Sequence, residues 1–241
     1  MKRIHYFFLL TALPAPRPAE AQTVLQRHVT WFAGQGQAKL SDRWSVSLDL
    51  QTRRDDWGAY RLQSLARAGA SFHFADNLAV SAGGAFFVHR LNDSGPHLFR
   101  REWRSWEEIA WKKQVNKSEF ALRFREEQRL MMATKDITPP LKNELIFRSR
   151  GRADYVLSLR KENGLFLNFA GEYMVRHDFR SLVFDQWRGY AGAGWKFRNR
   201  SDIALHYIMQ YQRRGYKLYE RHHILRILYR VQLDFRKKVS E

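Results

Sequence analysis

Between Phe184 and Gln212 apolar and polar positions alternate with a period of two. Trp187, Gly189, Ala191, Ala193, Trp195 and Phe197 fall on one side, and Arg188, Tyr190, Gly192, Gly194 and Lys196 on the other. After the polar stretch Arg198 to Ser201 the alternation resumes, with Ile203, Leu205, Tyr207, Met209 and Tyr211 against Ala204, His206, Ile208, Gln210 and Gln212. A helix cannot use that period, so the pattern predicts two long strands joined in a hairpin. Strands this long, apolar on one face and with aromatics near their ends, suit the crossing of about 25 Å of hydrocarbon.

The rest of the chain repeats the pattern. Trp44, Val46, Leu48 and Leu50 alternate with Ser45, Ser47, Asp49 and Gln51; Leu78, Val80, Ala82, Phe86 and Val88 share one face; Phe120, Leu122 and Phe124 oppose Arg123, Arg125, Glu127 and Arg129. Leu145, Phe147, Ala153, Tyr155 and Leu157 face away from Arg148, Arg150, Arg152 and Asp154, and Leu225, Ile227, Tyr229, Val231 and Leu233 face away from Arg226, Arg230 and Asp234. Connections near 42, 76, 115, 162 and 199 are short and those near 55, 94, 136, 180 and 216 longer. Short periplasmic turns with longer outer loops are the habit of outer-membrane barrels. Aromatics band at both ends, with Trp44, Phe72, Phe74, Trp111, Phe120, Trp195, Phe197 and Phe235 by the short turns, and Trp57, Tyr60, Phe86, Trp103, Tyr173, Trp187 and Tyr211 toward the loops. The fold expected is all-β, an antiparallel transmembrane barrel. Eleven strands can be marked, and closure in even numbers raises the expectation to about twelve, with ten as the alternative.

Lys2 and Arg3, an apolar run from Ile4 to Leu13, three prolines by position 18 and Ala19-Glu20-Ala21 predict a secretory signal peptide over 1–21, which leaves 22–241 as one barrel domain. The chain has no cysteine, which excludes disulfides and thiolate metal sites, and no later apolar run is long enough for a membrane helix. The formal net charge of +18 would suit nucleic acid, but the arginines alternate along strands and the chain is exported. Outer-membrane lipid, lipopolysaccharide or small anionic solutes are the partners expected, and nucleic acid is not.

The inward set carries the candidate chemistry. Arg61, Arg67, Arg123, Arg125, Arg129, Arg148, Arg150, Arg152, Arg188, Arg226 and Arg230 outnumber Asp49, Glu127, Asp154, Glu172 and Asp234. Two readings follow: a small passive channel with a weakly anion-preferring lumen, or a structural or partner-binding barrel whose interior is closed by salt bridges. On this reading Arg123 and Arg125 stand near Arg148, Arg150 and Arg152, with only Glu127 and Asp154 nearby to neutralise them. A lipid hydrolase is a further alternative, because Ser71 and His73 share a face and Glu172 or Asn168 could orient a histidine. No convincing catalytic set emerges. His222 and His223 point to opposite faces, so no metal site is expected, and no Gly-rich loop precedes a helix, so no cofactor is. Glu107 and Glu126 fall on the lipid face, where a bulge, a rim position or a protomer contact would accommodate them.

At Arg123-Phe124-Arg125-Glu126-Glu127-Gln128-Arg129, at Phe184-Asp185-Gln186-Trp187-Arg188, and at Tyr190-Ala191-Gly192 with Gly194-Trp195-Lys196-Phe197, the chain resembles a family of exported proteins common in Bacteroidetes, the domain-of-unknown-function 2490 family. The resemblance implies an outer-membrane β-barrel built by the barrel assembly machinery, and no assigned chemistry. Such barrels commonly end on an aromatic residue, whereas here Phe235 is followed by Arg236 to Glu241.

Overall fold

The computed structural model describes residues 23–91, 98–135, 140–159, 164–177 and 181–236. The predicted signal segment 1–21, the polar loop at Asp93 to Pro96 and Pro139 lie outside them.

Period-two alternation becomes eleven strands: β1 (Thr23–Lys39), β2 (Trp44–Asp55), β3 (Tyr60–Ala75), β4 (Leu78–Arg90), β5 (Phe99–Val115), β6 (Ser118–Met131), β7 (Glu144–Ser158), β8 (Gly164–His177), β9 (Leu182–Lys196), β10 (Ser201–Gly215) and β11 (Leu218–Asp234). Each pairs with its chain neighbours, and β1 pairs with β11 to close the barrel. Every chain-neighbour ladder is antiparallel, but the closing ladder is parallel.

That ladder accounts for the count. Up-and-down strands leave the first and last of an odd set running the same way, so eleven strands close only if one ladder is parallel. Even closure assumes that all ladders are antiparallel; a parallel ladder satisfies the backbone donors and acceptors nearly as well. The seam runs in register from Thr23↔Leu218 to Lys39↔Asp234. Thr23 N donates to Lys217 O (3.2 Å) at the loop end, and Phe235 N donates to Lys39 O (2.9 Å) at the short-turn end.

The faces follow the predicted alternation. Outward, Leu48, Leu122, Phe124, Leu205 and Tyr207 are about half exposed, as a lipid-facing surface must be. Trp44, Phe72 and Phe74 pack edge to face in the short-turn band, and Phe86 lies 4.7 Å from Trp103 in the loop band. One connection departs from expectation. β10 and β11 meet across Tyr216 and Lys217 alone, with Lys217 at φ 54, so the connection near 216 is a tight turn although it lies at the loop end.

Inside, small residues make room for large ones. A Cβ on Gly192 would stand 2.5 Å from the His206 ring, and one on Gly69 2.5 Å from the indole of Trp106. Alternating small and large inward residues is how a narrow barrel fills its taper.

Candidate functional site in the barrel lumen

A cavity of about 840 Å³ occupies the lumen, from Arg213, Arg214 and Glu144 at the loop end to Gln35, Glu119 and Arg230 toward the short turns. Among the described residues eighteen arginines and eight carboxylates line it.

Arg67, Arg123, Arg125, Arg129, Arg148, Arg150, Arg152, Asp154, Glu172, Arg188, Arg226 and Arg230, all expected inward, line this cavity. Glu127 is buried among them at 3 % exposure. Arg61 does not line it: at the exposed loop rim its Nε donates to Ser64 Oγ (3.2 Å) and its guanidinium lies 5.2 Å from the Phe99 ring centre. A bulge at Arg53/Arg54, where β2 pairs with β3, lies beside that rim.

From β5 to β9 the guanidiniums are held by carboxylates. Glu102 takes Arg104 Nε (2.5 Å) and Arg129 Nε (2.6 Å), with His89 Nε2 2.6 Å away. Glu127 takes Arg104 Nη1 (3.1 Å), Arg150 Nη1 (2.5 Å) and the Arg148 fork. Glu172 takes Arg150 Nη2 (2.5 Å), Arg188 Nη1 (3.3 Å) and the Tyr190 hydroxyl (3.0 Å). Asp185 takes Arg148 Nη1 (3.3 Å) and Arg176 Nε (3.0 Å). Glu108 takes Arg125 Nη2 (2.7 Å), and Asp154 takes Arg152 Nη2 (2.6 Å). The expectation that only Glu127 and Asp154 neutralise this wall is therefore corrected. Glu102 and Glu108 come from β5, Glu172 from β8 and Asp185 from β9, and each shared carboxylate serves two or more guanidinium forks, the geometry arginine is suited to.

The opposite wall, where β11, β1 and β2 meet, is different. Arg53, Trp31 and Arg226 are direct neighbours across the two ladders. The Arg53 guanidinium lies 4.0 Å and that of Arg226 5.2 Å from the Trp31 ring centre. Arg226, 7 % exposed, makes no hydrogen bond or ion pair to any described residue, and Arg53 makes only a long bond to Gln51 Oε1 (3.5 Å). The Nε atoms of both, and Trp31 Nε1, are buried without an acceptor. Val29, Tyr190, Ile208 and Ile224 pack with Trp31 as an apolar cluster.

The hydrolase expectation does not find its geometry. His73 Nε2 lies 3.0 Å from Ser45 Oγ, whereas Ser71 Oγ accepts from Ser81 Oγ (2.8 Å). Asn168 Oδ1 lies 3.0 Å from His206 Nε2, and Glu172 holds arginines. His222 faces inward, 2.8 Å from Glu220, while His223 faces out, 2.6 Å from the Tyr207 hydroxyl. Glu107 and Glu126 stand opposite each other on the exterior of β5 and β6, Glu107 accepting from Gln128 Nε2 (3.0 Å) and Glu126 lying 3.4 Å from His177 Nε2. No bulge interrupts that ladder, so neither glutamate is turned inward.

Reading the sequence missed Arg53, Arg100, Arg104, Glu102, Glu108 and Asp185. The β5 residues carried a usable signal, since they alternate with Trp103 and Trp111 and so face in. Asp185 carried none, because an irregularity at Met174/Val175, where β8 pairs with β9, shifts the register beside it.

A closed barrel with an apolar, aromatic-banded exterior and a charged interior defines an outer-membrane-type β-barrel. The family model described as "Protein of unknown function (DUF2490)" matches residues 29–219, and the chain belongs to that family. No curated protein matches it. Among solved structures, outer-membrane expressed OmpT of Vibrio cholerae is 13% identical with a TM-score of 0.39, over 70% of this chain and 55% of that one. The chain thus spans little more than half of that protein, and a likeness at this level carries no argument about function.

Proposed function

We propose that the chain is inserted in the bacterial outer membrane, after removal of its signal peptide, as a small passive channel that favours anions. The observation that carries the reading is the cavity: it runs nearly the height of the barrel, and among the described residues its eighteen arginines exceed the carboxylates, which number ten once the buried Glu102 and Glu127 are counted. A confined lumen of one sign of charge concentrates the opposite ion. Partners in this reading are outer-membrane lipid, lipopolysaccharide, the assembly machinery and small anionic solutes.

Two measurements test it. Fractionation with the outer membrane and a heat-modifiable gel shift are expected; a soluble protein with ordinary gel behaviour would end the reading. In a planar bilayer across a salt gradient, the reversal potential is expected on the anion side, and cation preference would overturn it. The second reading is a closed structural barrel, and a specific observation favours it: Glu102, Glu127 and Glu172 each tie guanidiniums from different strands together. A well-folded sample without conductance would favour that reading. No enzymatic activity is proposed, because Ser71 and His73 bond to different partners.

A further inference from the structure

We infer that the lumen contains a discrete oxyanion-binding site on the seam wall, built by Arg53 and Arg226 on either side of Trp31, which takes a small phosphate- or carboxylate-type anion. The inference rests on the wet, anion-accepting lumen proposed above and gives it a specific place.

The argument starts from acceptors. A buried guanidinium carries five donors and no acceptor of its own, so it needs carboxylates, carbonyls, water or a bound anion around it. Across the lumen that need is largely met by carboxylates, Arg150 being held by both Glu127 and Glu172, with single atoms such as Arg125 Nη1 left over. At Trp31 it is not. Arg226 is tied to described residues only by the faces of Trp31 (5.2 Å) and Tyr190 (5.3 Å). Aromatic faces attract the cation but leave its N–H groups unsatisfied. Arg53 has Gln51 Oε1 at 3.5 Å and no carboxylate.

Three donor atoms without an acceptor among the described residues, Arg53 Nε, Arg226 Nε and Trp31 Nε1, therefore belong to adjacent residues on one stretch of wall. All three residues line the cavity, and the Arg226 Nη groups, which bond to no described residue and are not among the buried atoms, are the donors an ion can reach. The two guanidiniums lie 4.0 Å and 5.2 Å from the same ring centre, on residues that flank Trp31 across its two ladders. The carboxylates that could reach in are already engaged, Glu172 by Arg150 and Arg188 and Asp154 by Arg152. A multi-oxygen anion accepts from two forks at once, which a monatomic halide cannot do. The ligand class is thus an oxyanion in preference to chloride.

The test is equilibrium binding, which does not require conduction. The full chain in detergent at low chloride is titrated calorimetrically with inorganic phosphate and, separately, with acetate; the two arms distinguish a tetrahedral from a planar oxyanion. A saturable heat of one site per chain is expected for at least one of them. Arg226→Gln and Arg53→Gln are each expected to weaken it at least tenfold, Arg226→Lys to weaken it less, and Arg61→Gln at the rim to leave it unchanged. Each variant is first shown to be folded by its heat-modifiable shift. No saturable heat with either anion, or unchanged binding in the folded Arg53→Gln/Arg226→Gln double variant, would overturn the site. Reversal potentials on the same samples separate the two claims. Anion preference without saturable binding removes the site and leaves the channel, and saturable binding in a non-conducting barrel removes the channel and leaves the site.

Discussion

Along β5 to β9 the lumen is faced by arginines locked to carboxylates, whereas at the level of Trp31, where β11, β1 and β2 meet, it is faced by arginines resting on aromatic rings. The two walls share a cavity and a residue type, and differ in where the acids are. A count of charges along the chain gives the excess of arginine but not its address. The address depends on which strands the acids share a level with. Glu127 lies at the centre of three guanidiniums, while Arg226 is ion-paired to no described acid, Asp154 near it being held by Arg152. The ion-paired wall is a scaffold that replaces an apolar core, and the seam wall is where charge is left available.

The sharpest way to break that contrast is to remove the hub of the scaffold. Glu127→Gln leaves Arg104, Arg148 and Arg150 with a neutral partner in a buried setting. Removing one member of a buried ion pair costs about 3–5 kcal/mol. Urea unfolding of the detergent-solubilised barrel is expected to show a loss of that order. A loss below about 1 kcal/mol would mean that water or other groups already screen these arginines, and that the two walls are energetically alike.

The exterior gives the next largest effect. Leu205 is half exposed on the outer face of β10, and Leu205→Arg is expected to cost about 2–4 kcal/mol in a bilayer if its position is near the midplane. The same change assayed in lipid vesicles and in detergent should differ, because only the bilayer imposes the full cost. A smaller effect is expected where the seam wall adjoins its neighbour. In Gly192→Ala the new methyl would meet the His206 ring and the Leu205 carbonyl at 2.5 Å, and overpacking of this kind costs about 1–3 kcal/mol. Refolding yield and urea midpoint read it, and a neutral result would show that both the His206 ring and the β10 backbone at Leu205 can give way.

How much of this was legible follows from what alternation reports. Period two is a local signal, and it gave the facing of Trp195, Leu205, Arg150 and Arg226, hence the exterior and most of the lumen. It carries no information about which strands close the ring, and so the parallel β1–β11 seam was not readable. It also fails where a bulge shifts the parity, which is why Arg61 was placed inside and Asp185 was overlooked. Arg53 was missed for a simpler reason: it continues the face of Asp49 and Gln51 beyond the point where the apolar half of the pattern stops. Arg104–Glu102 and Arg152–Asp154 are local pairs two residues apart on one strand face, but the other salt-bridge partners are non-local, set by register across four ladders, and no sequence spacing encodes those.

The smallest expected effect is also the one that separates the walls most cleanly. Arg226→Gln removes a cation that no carboxylate is ion-paired to and whose charged neighbours are Arg152, Arg230 and Asp154. The change loses contacts with Trp31 and Tyr190, worth about 0.5–2 kcal/mol as cation–π pairs, and relieves repulsion from Arg230 on the same strand and Arg152 across the lumen. The two effects oppose each other, so stability in a low-anion buffer is expected to stay within about 1 kcal/mol of the parent. Phosphate changes the outcome. A ligand that binds only the folded barrel adds RT ln(1 + [L]/Kd), about 2.7 kcal/mol at a hundredfold excess over Kd. The parent's urea midpoint is therefore expected to rise with phosphate at constant ionic strength and that of Arg226→Gln to rise far less, while Glu127→Gln, unstable as it is, keeps the phosphate response of the parent. Equal responses in all three would make phosphate a general stabiliser of the barrel, and the seam wall no different from the wall it faces.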